Sequence, residues 1–221
     1  MIAKHYIPLL LCLLLFLGGR AGAQSKVSVQ LGSTFSQTRA LYDKQQVQPG
    51  PYFHELVDLS ILVGPHIYFE YEYTFRKLHL STGFGFTNFG AGKIPFIGAP
   101  RWYTPYWMVP LLAGYRLKLP SQWALIVEGG GDIGFSDKSN SIIRNGGSYW
   151  GNINAVVGIE VEYRRCRLGI RGHWGLTDFR YFNPITYKHT AVSTYLSYTL
   201  WDQAKVKQRH LEREQAKRLG Q

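Results

Sequence analysis

The residues best suited to chemistry in this chain are three histidines and the carboxylates that share their polar faces. His66, His79 and His173 stand on the polar faces of three alternating segments, with Glu70 and Glu72 on the segment of His66 and Glu128 and Asp132 on the polar face of another. Histidine combined with carboxylate is a donor set for zinc. However, no H-x-x-x-H or H-E-x-x-H spacing occurs. A turn at Arg76-Lys77 sets His79 opposite Thr74, far along the strand from His66, so no metal site is expected. Nucleophilic catalysis needs a nucleophile, a base and an orienting group in hydrogen-bond reach. The chain lacks a G-x-S-x-G elbow, and no Ser/His/acid set gathers at one rim by local spacing. Asp178 lies near a strand end within reach of loop serines such as Ser139 and Ser141, and reads as a solvated rim residue. Gly129-Gly130-Gly131 precedes no helix, so it is not a phosphate loop. It reads as relief of crowding, or as a bend, in a strand. No catalytic, cofactor-binding or metal-ligating residue is expected.

The elements that must hold these residues are strands. Side chains at period two share one face of a strand. In 26–38, Val27, Val29, Leu31 and Phe35 oppose Ser28, Gln30, Gly32 and Thr34. In 55–75, Ile61, Val63, Ile67, Phe69 and Tyr71 oppose Asp58, Gly64, His66, Glu70 and Glu72. The pattern recurs in 78–89, 105–119, 123–135, 153–163, 168–176 and 192–200, making eight strands in all. Short turns at Arg76-Lys77, Pro120-Ser121-Gln122 and Arg164-Arg165 alternate with long links at 39–54, 90–104, 137–151 and 180–188. An even set of roughly ten-residue alternating strands, with short turns and long loops taking turns, is the pattern of an outer-membrane barrel. Tyr73, Trp123 and Tyr163 fall beside the short turns. Phe35, Phe86, Trp107, Phe135 and Trp174 fall at the other rim. Together they read as two aromatic girdles.

The direction of the apolar face follows from volume. Eight strands enclose room only for side chains or one small ligand. Dozens of apolar residues, many aromatic, do not fit inside; the Gly-, Ser- and Thr-rich face does. The expected fold is therefore all-β: an eight-stranded antiparallel up-and-down transmembrane barrel. Its polar face turns Glu70, Glu72, Arg116, Glu128, Asp132, Glu160, Glu162, Arg167 and Arg171 inward, with Asp58 and Lys118. Buried charges need partners, so these read as an ion-paired plug. The Arg164-Arg165 turn pairs Glu162 with Arg167 and sets Glu160 diagonal to Arg167 and Arg171. On the neighbouring hairpin Arg116 lies diagonal to Glu128.

The chain ends complete the plan. Lys4 and His5, an apolar run 7–17 and Ala21-Gly22-Ala23 have the form of a secretory signal peptide, residues 1–23. The run is shorter than the roughly 20 residues of a spanning helix. Its removal takes Cys12 and leaves Cys166 as the one thiol. It also lowers the formal charge of +11 by the two charges of Lys4 and Arg20. At 45% hydrophobic and 15% aromatic residues, the 221-residue chain is not disordered. Residues 24–201 form the expected barrel, and 202–221 a basic, helix-prone periplasmic tail, since an even strand number puts both termini on one side. The long loops carry Trp102, Tyr103, Tyr149, Trp150, Tyr181 and Phe182, candidates for contact with a partner or with lipid headgroups.

Tyr106 to Tyr115, containing Val109-Pro110-Leu111-Leu112, resembles the "x-I-P-L-L-x-x-Y" strand of the outer-membrane barrel domain of Bacteroidetes that includes the PorT family. The Gly-rich 123–135, the hairpin from Gly158 to Gly175-Leu176-Thr177-Asp178 and the closing strand 189–200 resemble the same domain. The resemblance spans about 24–201. It implies an outer-membrane barrel, in some members serving a secretion machinery, and it supplies no catalytic residues. The expected function is a non-enzymatic scaffold or interaction module in the cell outer membrane, without cofactor. Its expected partners are outer-membrane lipid and an envelope protein bound through the extracellular loops or the basic tail; the compartment excludes nucleic acid. The alternative is a small outer-membrane enzyme or ligand binder with its site at the extracellular rim, motivated by His173, Asp178 and the charged lumen.

Overall fold

The structure, a computed structural model, describes residues 23–42, 61–91, 102–136, 152–177, 179–182 and 185–219. The elements are β1 (Ala23–Tyr42), β2 (Leu62–Phe75), β3 (Leu78–Ala91), β4 (Trp102–Lys118), β5 (Trp123–Phe135), β6 (Asn152–Tyr163), β7 (Cys166–Gly175), β8 (Phe179–Phe182), β9 (Ile185–Asp202) and α1 (Gln203–Leu219). Each strand pairs antiparallel with the next along the wall, β7 pairs β9, and β9 pairs β1, which closes the sheet. Eight strands make the barrel; β8 is a short strand on the far end of β9. Closure matters because it leaves no row of unpaired backbone groups.

The alternation of the sequence becomes the polarity of the wall. In β1, Gln30 is fully buried while its neighbour Leu31 is 56% exposed. Leu168 is 64% exposed beside the fully enclosed Arg167. A wall with leucine, isoleucine and valine outside and ionised groups inside is the reverse of a water-soluble barrel, and hydrocarbon is the solvent it suits. At one rim Trp123 and Tyr163 are exposed with ring centroids 4.6 Å apart. At the other, Trp107 stacks on Phe84 at 5.1 Å, and Phe35, Phe135 and Trp174 are exposed near it. Tyr73 departs from the expected girdle. It is buried, lining an outer-wall cleft of about 300 Å³ with Leu80, Leu111, Ala113 and Gly129. The small side chains at 113 and 129 leave that notch open beside it.

Large side chains inside the barrel were not expected from the polar-face argument. Tyr68, Phe89, Tyr106, Met108 and Tyr195 are buried. They fit because glycines face two of them. Gly85 pairs with Tyr68, and a Cβ there would lie 2.2 Å from the ring. Gly169 pairs with Tyr195, where a Cβ would lie 2.5 Å from the ring. An aromatic ring laid over a cross-strand glycine covers backbone that has no side chain of its own and pins the register.

The strands run further than the period-two pattern showed. β3 and β4 pair out to Ala91 and Trp102, and β1 pairs with β9 out to Tyr42 and Ile185. Backbone pairing continues there although side-chain polarity no longer alternates. The helix starts at Gln203. Asp202 Oδ1 accepts the backbone N–H of Ala204 at 3.0 Å and of Lys205 at 3.4 Å, which makes Asp202 the N-cap. No described helix is long and apolar enough to cross a membrane.

Candidate functional site

The lumen holds the densest chemistry in the chain. Arg167 and Arg171 are four residues apart and share one face of β7, both fully enclosed. Each reaches carboxylates from several strands. Arg167 Nη1 donates to Glu160 Oε2 at 2.8 Å, and its Nη2 donates to Glu72 and to Ser28 Oγ at 2.9 Å. Arg171 Nε donates to Glu128 Oε1 at 2.6 Å. Its Nη2 donates to Glu70 Oε1 at 2.6 Å and to Glu160 Oε1 at 3.0 Å. The Tyr195 hydroxyl also donates to Glu160, and its ring faces the Arg171 guanidinium at 5.0 Å. Gln30 bridges the cluster, accepting from Arg171 Nη1 at 3.2 Å and donating to Glu70 Oε2 at 2.6 Å. The rigid guanidinium fork suits such multiple carboxylate contacts, which a point-charge lysine does not reproduce.

A second, smaller cluster lies toward the short-turn end. Lys26 Nζ and Arg116 Nη2 both donate to Glu162 Oε1, each at 2.7 Å. Arg116 thus meets Glu162 rather than the diagonal Glu128, which Arg171 occupies. The β4–β5 hairpin offers Arg116 only Glu128; Arg171, arriving from β7, takes that carboxylate, and Arg116 reaches past β5 to Glu162 on β6. Lys26 continues the polar face of β1 one step below Ser28; period two extended to residue 26 would have found it. Lys118 is exposed at the rim, because the strand ends there and its side chain reaches solvent. Asp58 lies outside the described residues.

Above the arginines, toward the long-link end, the structure assembles an arrangement that local spacing did not show. Asp132 Oδ2 and His173 Nδ1 are 2.8 Å apart, and His173 Nε2 and Ser193 Oγ are 3.1 Å apart. Asp132 Oδ1 also accepts from Asn154 Nδ2. Ser193 Oγ lies 2.9 Å from Thr34 Oγ1, which accepts from Thr87 Oγ1 at 2.8 Å. Acid, imidazole and hydroxyl come from β5, β7 and β9, so no motif in the sequence announces them. The distances are those of an acid–base–nucleophile relay. Its serine is 1% exposed, its hydroxyl is also shared with Thr34, and Phe89 packs 6.1 Å from the imidazole. A reacting carbonyl needs a position about 3 Å from both nucleophile and oxyanion donors; Ser193 is shut off from solvent, its hydroxyl held between His173 and Thr34.

The other histidines are separate. His66 Nε2 lies 3.2 Å from Gln30 Oε1, with its ring stacked between Tyr68 and Tyr195. His79 lies opposite Thr74, as the turn requires, and its Nε2 is 3.8 Å from Glu128. No group of three or more His, Cys, Asp and Glu side chains placed to hold a metal occurs among the described residues.

The aromatic loop candidates divide. Trp102 and Tyr103 fall within β4, and Tyr181 and Phe182 within β8. Tyr149 and Trp150 lie outside the described residues, as do Ser139, Ser141 and Asp178. The first four are therefore on strand extensions beyond the apolar band rather than on free loops.

No family model matches this chain, and no curated protein matches it. Solved structures do. The chain is similar to Neisserial surface protein A at 13% identity, over 80% of this chain and 99% of that one, with a TM-score of 0.48. It is similar to Ail, the attachment invasion locus protein of Yersinia pestis, at 11% identity over 80% and 100%, with a TM-score of 0.37. It is also similar to the N-terminal β-barrel domain of Pseudomonas aeruginosa OprF at 13% identity over 77% and 98%, with a TM-score of 0.34.

Proposed function

We propose that this chain is an exported outer-membrane barrel with a sealed, ion-paired interior, acting as a non-enzymatic envelope scaffold or interaction module. A cleaved signal peptide, residues 1–23, delivers it. One observation carries the reading: four enclosed cations, Lys26, Arg116, Arg167 and Arg171, are knitted to the lumenal carboxylates while leucine and isoleucine face out. A lumen cross-linked in this way offers no continuous water path through its middle. What remains for contact is the two ends. At one end are the strand extensions and the links that carry Trp102, Tyr103, Tyr149, Trp150, Tyr181 and Phe182. At the other is α1, whose side chains are nearly all exposed. A partner in an envelope or secretion assembly, as the PorT-like resemblance implies, engages one of these ends. Cross-linking of the tagged protein in intact cells, followed by purification from detergent-solubilised outer membranes, tests this. An envelope protein recovered with the full chain, and lost when 203–221 or the long links are shortened, supports the reading. A barrel that always runs alone, its ends removable without consequence, ends it.

A second reading has its own observation, the Asp132–His173–Ser193 relay. In it the barrel is an outer-membrane hydrolase whose long-link end opens to admit an acyl substrate to Ser193. An active-site fluorophosphonate probe decides between the two. Covalent labelling of Ser193, abolished by His173→Ala, supports the enzyme. An unlabelled serine in the membrane-embedded protein leaves the relay as lumenal packing.

A further inference from the structure

The short-turn rim carries a charge pattern that neither the lumen nor the long-link end explains. Its three turns present Arg76 and Lys77, Lys118, and Arg164 and Arg165, while the acids at this rim, Glu162 and Asp202, are turned inward or engaged in capping. The cations stand at the feet of aromatic rings. The Arg76 guanidinium lies 5.5 Å from the Phe75 ring, Lys77 Nζ lies 5.7 Å from that of Tyr115, and the Arg164 guanidinium lies 5.1 Å from that of Tyr163. Tyr115 and Tyr163 are exposed, and Trp123 joins Tyr163. Rings of this kind sit at headgroup depth, so the cations beside them are held at the depth of lipid phosphate.

Two of these arginines are placed against backbone preference. Arg76 has φ 56° and Arg164 has φ 57°, the left-handed region that glycine or asparagine occupies most readily in tight hairpin turns. The chain has 24 glycines yet sets arginine at both positions. Ser121 and Gln122 of the third short turn share the left-handed backbone, at φ 57° and 69°, so the turn shape is common to the rim and the cationic side chains are what distinguish two of its three turns.

We infer that the short-turn rim is a collar that binds the headgroups of anionic glycerophospholipids in the leaflet it faces. The inference rests on the membrane-spanning reading above. The geometry selects the occupant. The cations belong to the β2–β3, β4–β5 and β6–β7 turns, spread along the wall, and each lies at the edge of the apolar band. A ligand that meets all of them must surround the barrel, as a lipid shell does and a single peptide does not. The helix α1 is basic as well, with six Lys and Arg against Glu212 and Glu214, but it leaves the rim at one point, and the collar stands without it.

The test uses the full-length protein in mixed micelles of phosphatidylglycerol and phosphatidylcholine with matched chains, with retained lipid counted by native mass spectrometry. Wild type is expected to retain phosphatidylglycerol preferentially, and added salt should weaken the preference, because exposed charges are screened. Arg76→Gly/Arg164→Gly relaxes both turns, so it folds at least as well, yet the preference should fall by roughly fivefold per cation removed. Arg76→Lys/Arg164→Lys should keep it. Equal retention of the two lipids by wild type, or a glycine variant that keeps the full preference, overturns the collar. Loss of the preference on removing 203–221 alone also overturns it, because the helix would then be the site. A chain that never enters micelles or membranes sinks the spanning reading and this inference together; one that enters them without preference sinks only this inference.

Discussion

Arg171 on β7 and Glu70 on β2 meet across the lumen, Nη2 to Oε1 at 2.6 Å, although β9 and β1 stand between their strands along the wall. The pair is 101 residues apart in sequence, and it exists only because the sheet closes. The same guanidinium holds Glu128 and Glu160, so one side chain ties β7 to β2, to β5 and to its paired neighbour β6.

That arrangement makes Arg171 the most sensitive position in the interior. Removing one partner of a buried pair leaves the other charge uncompensated, at about 3–5 kcal/mol. Arg171→Met is expected to lose at least that much in urea unfolding of the membrane- or micelle-embedded barrel, followed by tryptophan fluorescence. Adding Glu70→Gln and Glu128→Gln to the same chain should recover part of the loss, because the stranded acids are neutralised. A single variant as stable as wild type would show that the network contributes little.

Gly85 should tolerate no side chain. A Cβ there meets the Tyr68 ring at 2.2 Å, and forcing extra volume into a packed interior costs about 1–3 kcal/mol. Gly129→Ala is the control: its new Cβ would find its nearest neighbour at 3.6 Å, and its cost should stay within about 0.5 kcal/mol. The two alanine variants are compared in the same unfolding assay, and equal stabilities would contradict the covered-glycine geometry.

Cys166 reports which way the barrel faces. It is a free, exposed thiol beside the Arg164-Arg165 turn, at the end that carries α1. With that end in the periplasm, a membrane-impermeant maleimide should leave Cys166 untouched in intact cells and label it once the outer membrane is opened. Labelling of intact cells would invert the orientation, and would place α1 and the basic turns outside.

The helix depends on its cap more than on packing. Asp202 accepts two backbone N–H groups of the first turn and also a side-chain N–H from Gln24 at 3.0 Å, while the helix beyond it is nearly all exposed. Asp202→Ala should cost about 0.5–2 kcal/mol of helix stability. Hydrogen exchange at Ala204 and Lys205 should speed up accordingly, with Asp202→Asn close to wild type. Unchanged exchange would mean that contacts other than the cap hold the helix.

The strand count and the polarity of the wall were legible in the sequence, because a strand's side chains alternate with period two whatever the strand pairs with. Val29 and Leu31 against Ser28 and Gln30 already state which residues share a face. That Glu162 and Arg167 stand opposite each other was equally local, since a two-residue turn leaves one register, but the two side chains bond elsewhere, Glu162 to Lys26 and Arg116, Arg167 to Glu160 and Glu72. What joins strands distant in sequence was not legible. Arg116 choosing Glu162 over Glu128 and the Asp132–His173–Ser193 relay depend on how closure brings the wall together. The seating of Tyr68 over Gly85 follows from the register of the Arg76-Lys77 turn, whereas that of Tyr195 over Gly169 needs the β7–β9 pairing. Periodicity fixes the direction of a side chain relative to its own backbone. Which side chains then meet inside a cylinder is set by shear and circumference, quantities that belong to the closed sheet and to no single strand.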